Sequence, residues 1–240
     1  MTALAAQIRA ELVLTVRRGE SVLLTMGIPV LLLVFFSLVD VLPTGVDDPI
    51  DFLAPGILSL AIMSTAMVNL AIATGFERQY GVLKRLGSTP LGRPRLLSAK
   101  TAAILVIEVV QLAVLVPVAL LLGWDPEPTV VPLLLAIALG TIAFAGLGLL
   151  MAGTLRAEIT LAGANGLYLV LLLLGGMIIP LDELPAALAT VAKLLPAAAL
   201  AAAVDGTLTA GASVPGWAWL TLTAWAIAMP LAAALTFRWE

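Results

Sequence analysis

Long stretches without a single charge govern what this chain can become. Uncharged apolar runs cover residues 21–39, 52–76, 129–155, 159–181 and 206–237, and another, 101–124, is interrupted only by Glu108. A bilayer core is about 30 Å thick, so a helix that spans it needs about 20 apolar residues. Each run is of that order. Backbone N–H and C=O groups find no water in lipid and must be satisfied internally, in a helix or a closed barrel. The two-residue alternation of barrel strands is absent. The sequence predicts six spanning helices and an all-α membrane protein.

Composition agrees. Of 240 residues, 62% are hydrophobic and 11% charged, against about 45–50% and about 25% in soluble domains. Such apolar content excludes disorder, and so few cations exclude a nucleic-acid partner. Without Cys or His, disulfides, thiolate chemistry, imidazole bases and the usual zinc and haem ligands drop out.

The placement of cations sets the expected orientation. Eleven of the twelve fall before the first run, between the second and third, between the fourth and fifth, or after the sixth: Arg9, Arg17, Arg18, Arg78, Lys84, Arg85, Arg93, Arg95, Lys100, Arg156 and Arg238. The opposite side holds only Lys193, with Asp40, Asp47, Asp48, Asp51, Asp125, Glu127, Asp182, Glu183 and Asp205. Positive loops stay cytoplasmic, so both termini are expected inside. The run after Arg17 and Arg18 is longer than a signal-peptide core and lacks a small-x-small cleavage site, so it is expected to be a retained first helix.

Three segments outside the spans carry organisation. Leu4, Ile8, Leu12 and Val16 recur every fourth residue, predicting an amphipathic helix over 1–20 in the cytoplasmic interface. Residues 76–100 form the one sizeable inner connection, with a short helix expected around 79–86, a turn at 87–92 and the third span entered at Pro94. In 180–215, residues 186–204 are apolar enough to span, but Pro196 divides them into pieces too short to cross. Two short helices at, or dipping into, the outer leaflet are expected there. The whole of 1–240 reads as one membrane domain.

Chemistry-bearing residues are few. No hydrolase elbow, zinc motif or phosphate-binding loop occurs, so any ATP must be bound by another chain. Glu108 and Gln111 lie three apart in the third span and Asn69 in the second. A carboxyl group at that depth faces protein or a wet cavity. These three are candidates for a substrate or proton pathway, or for helix–helix hydrogen bonds among themselves. Asn165 reads as packing, as do the small pairs Ala136/Gly140 and Gly148/Ala152. Pro29, Pro117 and Pro230 are expected to kink spans, and Trp124, Trp217 and Trp239 to anchor at the interfaces.

Two segments carry a family resemblance. The first is FERQYGVLKRLGSTPLGRPRLLSAK, residues 76–100; the second is GGMIIPLDELP, residues 175–185, continuing to LLP at 194–196. The first resembles the connection between spans two and three in the membrane subunits of type-2 ABC exporters: an acid, a G-x-L-x-R-L core, then T-P-L and a basic approach to the next helix. The second is similar to that family's G-G-x-x-x-P run with two later L-P pairs. The nearest branch is the multidrug permeases of daunorubicin type.

The resemblance implies two permease chains, a homodimer or a related pair, each docked on one subunit of a cytoplasmic ATPase dimer that binds ATP and Mg. It implies that Glu77, Arg78, Tyr80, Gly81, Leu83, Lys84, Arg85 and Leu86 form a coupling helix against that ATPase. The expected function is outward movement of hydrophobic or amphiphilic drugs, natural products or lipids across the plasma membrane, with no catalytic site in this chain. Export of a polysaccharide or lipid-linked glycan, and a proton-coupled carrier using Glu108, stand as alternatives.

Overall fold

The computed structural model describes residues 3–17, 19–39, 49–87 and 92–238. Among them there is no strand, and the chain is helical almost throughout. Helix α1 (Ala3–Arg17) is followed by α2 (Gly19–Leu38), α3 (Pro49–Met63), a six-residue π turn (Ser64–Asn69) and α4 (Leu70–Gln79). Next come α5 (Val82–Gly87), α6 (Arg93–Leu121), α7 (Val130–Thr154) and α8 (Ala157–Leu174). The last three helices are α9 (Ala186–Ala192), α10 (Pro196–Leu208) and α11 (Gly216–Thr236). Residues 40–48, Arg18, Trp239 and 88–91, the middle of the turn expected at 87–92, lie outside the described residues.

Five helices are long and apolar enough to cross a membrane: Pro49–Gln79, which joins α3, the π turn and α4, together with Arg95–Leu121, Val130–Thr154, Ala157–Leu174 and Gly216–Thr236. The expected first span corresponds to α2, a 20-residue helix whose apolar part, Thr25–Leu38, is shorter. The chain is a multi-pass membrane protein. Pro29, Pro117 and Pro230 all sit inside helices, as expected.

Two span boundaries differ from the sequence expectation. The fifth ends at Leu174 rather than residue 181, because Gly176 adopts φ +67° and turns the chain. That left-handed conformation costs a residue with a Cβ about 1–2 kcal/mol. The sixth begins at Gly216 rather than residue 206, because 206–208 complete α10. The end of α10 is held by the loop before α7, where Glu127 N donates to Leu208 O and Thr129 N to Thr207 O. Those bonds satisfy carbonyls that a helix terminus leaves open.

Pro196 breaks 186–204 as expected, and α9 and α10 meet at 84°. Helix α10 turns inward and packs between α3, α7 and α11, with its alanines and Leu200 buried. The corner is fixed from α11: Thr221 Oγ1 donates to Lys193 O at 3.1 Å and Trp225 Nε1 to Leu194 O at 2.9 Å. Trp124 corrects another expectation. It is buried in the core rather than placed at an interface.

Small residues make this packing close. Along α7, Ala136, Gly140, Ala143, Gly146, Gly148 and Gly153 are buried, and α11, α10 and the π turn pack around this helix. A Cβ on Gly146 would sit 2.6 Å from Pro230 of α11, and one on Gly148 only 2.7 Å from the Met67 carbonyl oxygen in the π turn. Without a hydrophobic drive between helices in lipid, such van der Waals fit supplies much of the association. The Pro49–Gln79 helix is the most enclosed span and α8 the least.

These contacts separate two kinds of glycine. A Cβ at Gly56 would lie 2.1 Å from the backbone oxygen of Met177, whereas at Gly140 it meets only the Leu200 side chain, at 2.7 Å. Gly56→Ala should lower thermal stability in detergent by about 1–3 kcal/mol, and Gly140→Ala by less because Leu200 can rotate. Equal melting temperatures for the two variants would contradict this packing.

Candidate functional site

The C-terminal end of α4 is where the polar residues converge. Glu77, Arg78 and Gln79 are consecutive in a helix, so their side chains leave about 100° apart and reach three different neighbours. Glu77 Oε2 accepts from Lys100 Nζ of α6 at 2.6 Å. The Arg78 guanidinium donates to Leu155 O in the turn between α7 and α8. Gln79 Nε2 donates to Glu158 of α8 at 2.7 Å. The same Lys100 ammonium also donates to Glu11 of α1, at 3.0 Å.

The chain then turns through Tyr80 and Gly81 into α5. Gly81 has φ +71°. The short helix starts at Val82 rather than at residue 79, because α4 runs on through Gln79 before Gly81 breaks it. Leu83 is fully buried and pins α5 to the bundle, while Tyr80, Val82, Lys84 and Arg85 are exposed and Leu86 is half-buried. The Tyr80 ring stacks on Phe76 at 6.1 Å, which holds it at the turn. Of the eight residues expected to contact a partner, Glu77 and Leu83 face inward and Arg78 is committed to Leu155. Tyr80, Lys84 and Arg85 form the outward rim.

Within the spans, Glu108, Gln111 and Asn69 do not form one cluster. Glu108 is 1% exposed, and its Oε2 lies 2.5 Å from Thr141 Oγ1 of α7. The Thr141 hydroxyl also lies 2.8 Å from Ile137 O, so its one hydrogen can serve only one of the two oxygens. Gln111 accepts from Thr65 Oγ1 in the π turn at 3.0 Å and donates to Thr25 O of α2 at 2.8 Å. Asn69 Nδ2 is 3.5 Å from Thr25 Oγ1. The expected partners of Glu108, Asn69 and Gln111, are therefore replaced by Thr141.

An open cleft of about 340 Å³ lies between α2, the π turn with α4, and α8. Thr25, Ser64, Asn69, Asn165 and Tyr168 give it polar groups among Ile28, Leu60, Val68 and Ile72. Glu108 and Gln111 do not line it. Sequence reasoning named Asn69 for such a pathway but gave Asn165 to packing.

The model of the ABC-2 type transporter family matches residues 2–208, which takes in α1 to α10. The chain belongs to the ABC-2 type transporter family. No curated protein matches its sequence. The match covers the two segments that carried the resemblance, and it makes this protein a permease subunit of an ABC transporter.

Lys100 is the residue of this permease that sequence reasoning passed over. It was counted among the loop cations, yet it lies on the stripe of Leu97, Ile104 and Gln111, all buried in α6. That spacing of three and four was the available signal.

Two predictions follow from the site. Gly81→Ala should cost about 1–2 kcal/mol because φ is positive there, reducing ATP-dependent transport, and Gly81→Asn should cost less; the reverse order would contradict the assigned turn. Thr141→Val leaves Glu108 without its partner and should destabilise the protein by about 1–3 kcal/mol. In a double-mutant cycle with Glu108→Leu most of that loss should disappear, and strict additivity would contradict the pairing.

Proposed function

We propose that this permease is the membrane half of an ATP-driven exporter in the plasma membrane, with both termini cytoplasmic and its energy supplied by a separate ATPase dimer. The observation that carries the reading is the build of α5. A buried Leu83 fixes the helix to the bundle, while Tyr80, Val82, Lys84 and Arg85 present an apolar edge with a basic rim. Such an element passes a rigid-body push from a soluble partner to the spans beside it. ATP and Mg reside on the partner. In this chain Glu77, Arg78 and Gln79 distribute the push to α6, the α7–α8 turn and α8.

The cargo is hydrophobic or amphiphilic. The cleft walled by α2, α4 and α8 offers hydroxyl and amide groups along an apolar surface, which suits a mostly apolar molecule with a few hydrogen-bonding groups. Helix α8 exposes Leu169, Val170 and Leu173, a face that a second permease chain would cover. A proton-coupled carrier gains no support, since Glu108 is enclosed between α6 and α7 and does not line the cleft.

The permease co-reconstituted with its ATPase in liposomes should move a fluorescent lipophilic dye outward only when ATP is hydrolysed, and Glu108→Gln should leave that movement in place. Dye movement driven by a proton gradient without nucleotide, and abolished by Glu108→Gln, would contradict the proposal.

A further inference from the structure

We propose that Lys100 is a positioning residue that locks α1, the end of α4 and the start of α6 into one mechanical unit, so that displacement of α5 reaches all three together. This rests on α5 being the docking helix. The lysine is 1% exposed, with its ammonium 2.6 Å from Glu77 and 3.0 Å from Glu11. Three helices therefore meet at one cation. Each carboxylate is held by the charge between them, and removing that charge leaves two acids facing each other where little water reaches.

The direction of this link sets it apart from its neighbours. Arg78 and Gln79 tie α4 to the α7–α8 side. Lys100 ties α4 to the opposite side, where α1 packs mainly along α6. The three charges border a small cavity of about 30 Å³ that is otherwise closed chiefly by apolar groups, among them Leu14 of α1, Ala73 of α4 and Ile104 of α6. An apolar residue at position 100 would fill this place with no desolvation cost. A shared ammonium instead fixes the register of two other helices through directed, charge-assisted bonds.

The chain has no cysteine, so an introduced pair reports without background. With Leu14→Cys and Ala73→Cys, two positions that line the same cavity, cross-linking by a bifunctional thiol reagent in native membranes should proceed with and without ATP. It should fall by about tenfold in Lys100→Met, a magnitude typical of coupling between sites, and return in Lys100→Arg. In liposomes with the ATPase, Lys100→Met should hydrolyse ATP at the usual rate but move about tenfold less lipophilic dye per ATP. Where Lys100→Met fails to insert, the triple variant Glu11→Gln, Glu77→Gln, Lys100→Met removes the facing acids and should show the same two losses. Undiminished cross-linking, or an unchanged dye-to-ATP ratio, in the inserted variant overturns the proposal. If the unsubstituted permease moves no dye while the cross-link still depends on Lys100, the lock stands and the exporter reading fails.

Discussion

An amide group in lipid has nowhere to turn but its own helix, and that constraint leaves this permease few degrees of freedom. With the backbone committed to helices, the interior is organised by two remaining variables: how closely helices approach, and where the rare polar side chains find partners. The glycines and alanines of α7 settle the first by letting α11 and the π turn come near backbone contact, with the Leu200 side chain of α10 against Gly140. The second is settled at three places in the bundle. Thr221 and Trp225 hold the corner before α10. Thr25, Thr65, Gln111, Glu108 and Thr141 join helices between the two ends. Glu11, Glu77 and Lys100 join α1, α4 and α6 at the α5 end.

These places share one long element. The helix Pro49–Gln79 runs from the side of α10 to the α5 turn and is the most enclosed span. Its π turn at Ser64–Asn69 lies where Gln111 and the α7 backbone approach. A π turn misaligns the helical hydrogen bonds and often marks functional positions. Here it separates α3, packed with α10, from α4, which carries Glu77, Arg78 and Gln79. In the proposed exporter, a push on α5 enters through α4.

The existence of the spans and the break at Pro196 were legible in the sequence because they follow from length, charge and proline chemistry alone. The helix expected around 79–86 ran through Gly81, whose positive φ instead divides α4 from α5. Other features depend on what lies across the fold. The fifth span stops at Leu174 because Gly176 turns and Met177 packs on Gly56, a contact more than 100 residues distant in sequence. Trp124 looked like an interface anchor but fills the core. Glu108 has Thr141 for a partner, and one threonine among many in apolar runs gives no signal of that role. Lys100 was hidden by its neighbours: amid loop cations it read as one more charge, although its helical spacing put it on the buried stripe of α6.

The central claim is that a separate ATPase engages the rim of α5. A photo-reactive amino acid at Tyr80, which is 72% exposed, tests it directly in native membranes. Illumination should join the permease to a cytoplasmic ATP-binding subunit, and the same probe at Leu83, buried against the bundle, should join it to none. Capture of no ATP-binding protein at Tyr80, or labelling of that position from outside the cell, would contradict the account.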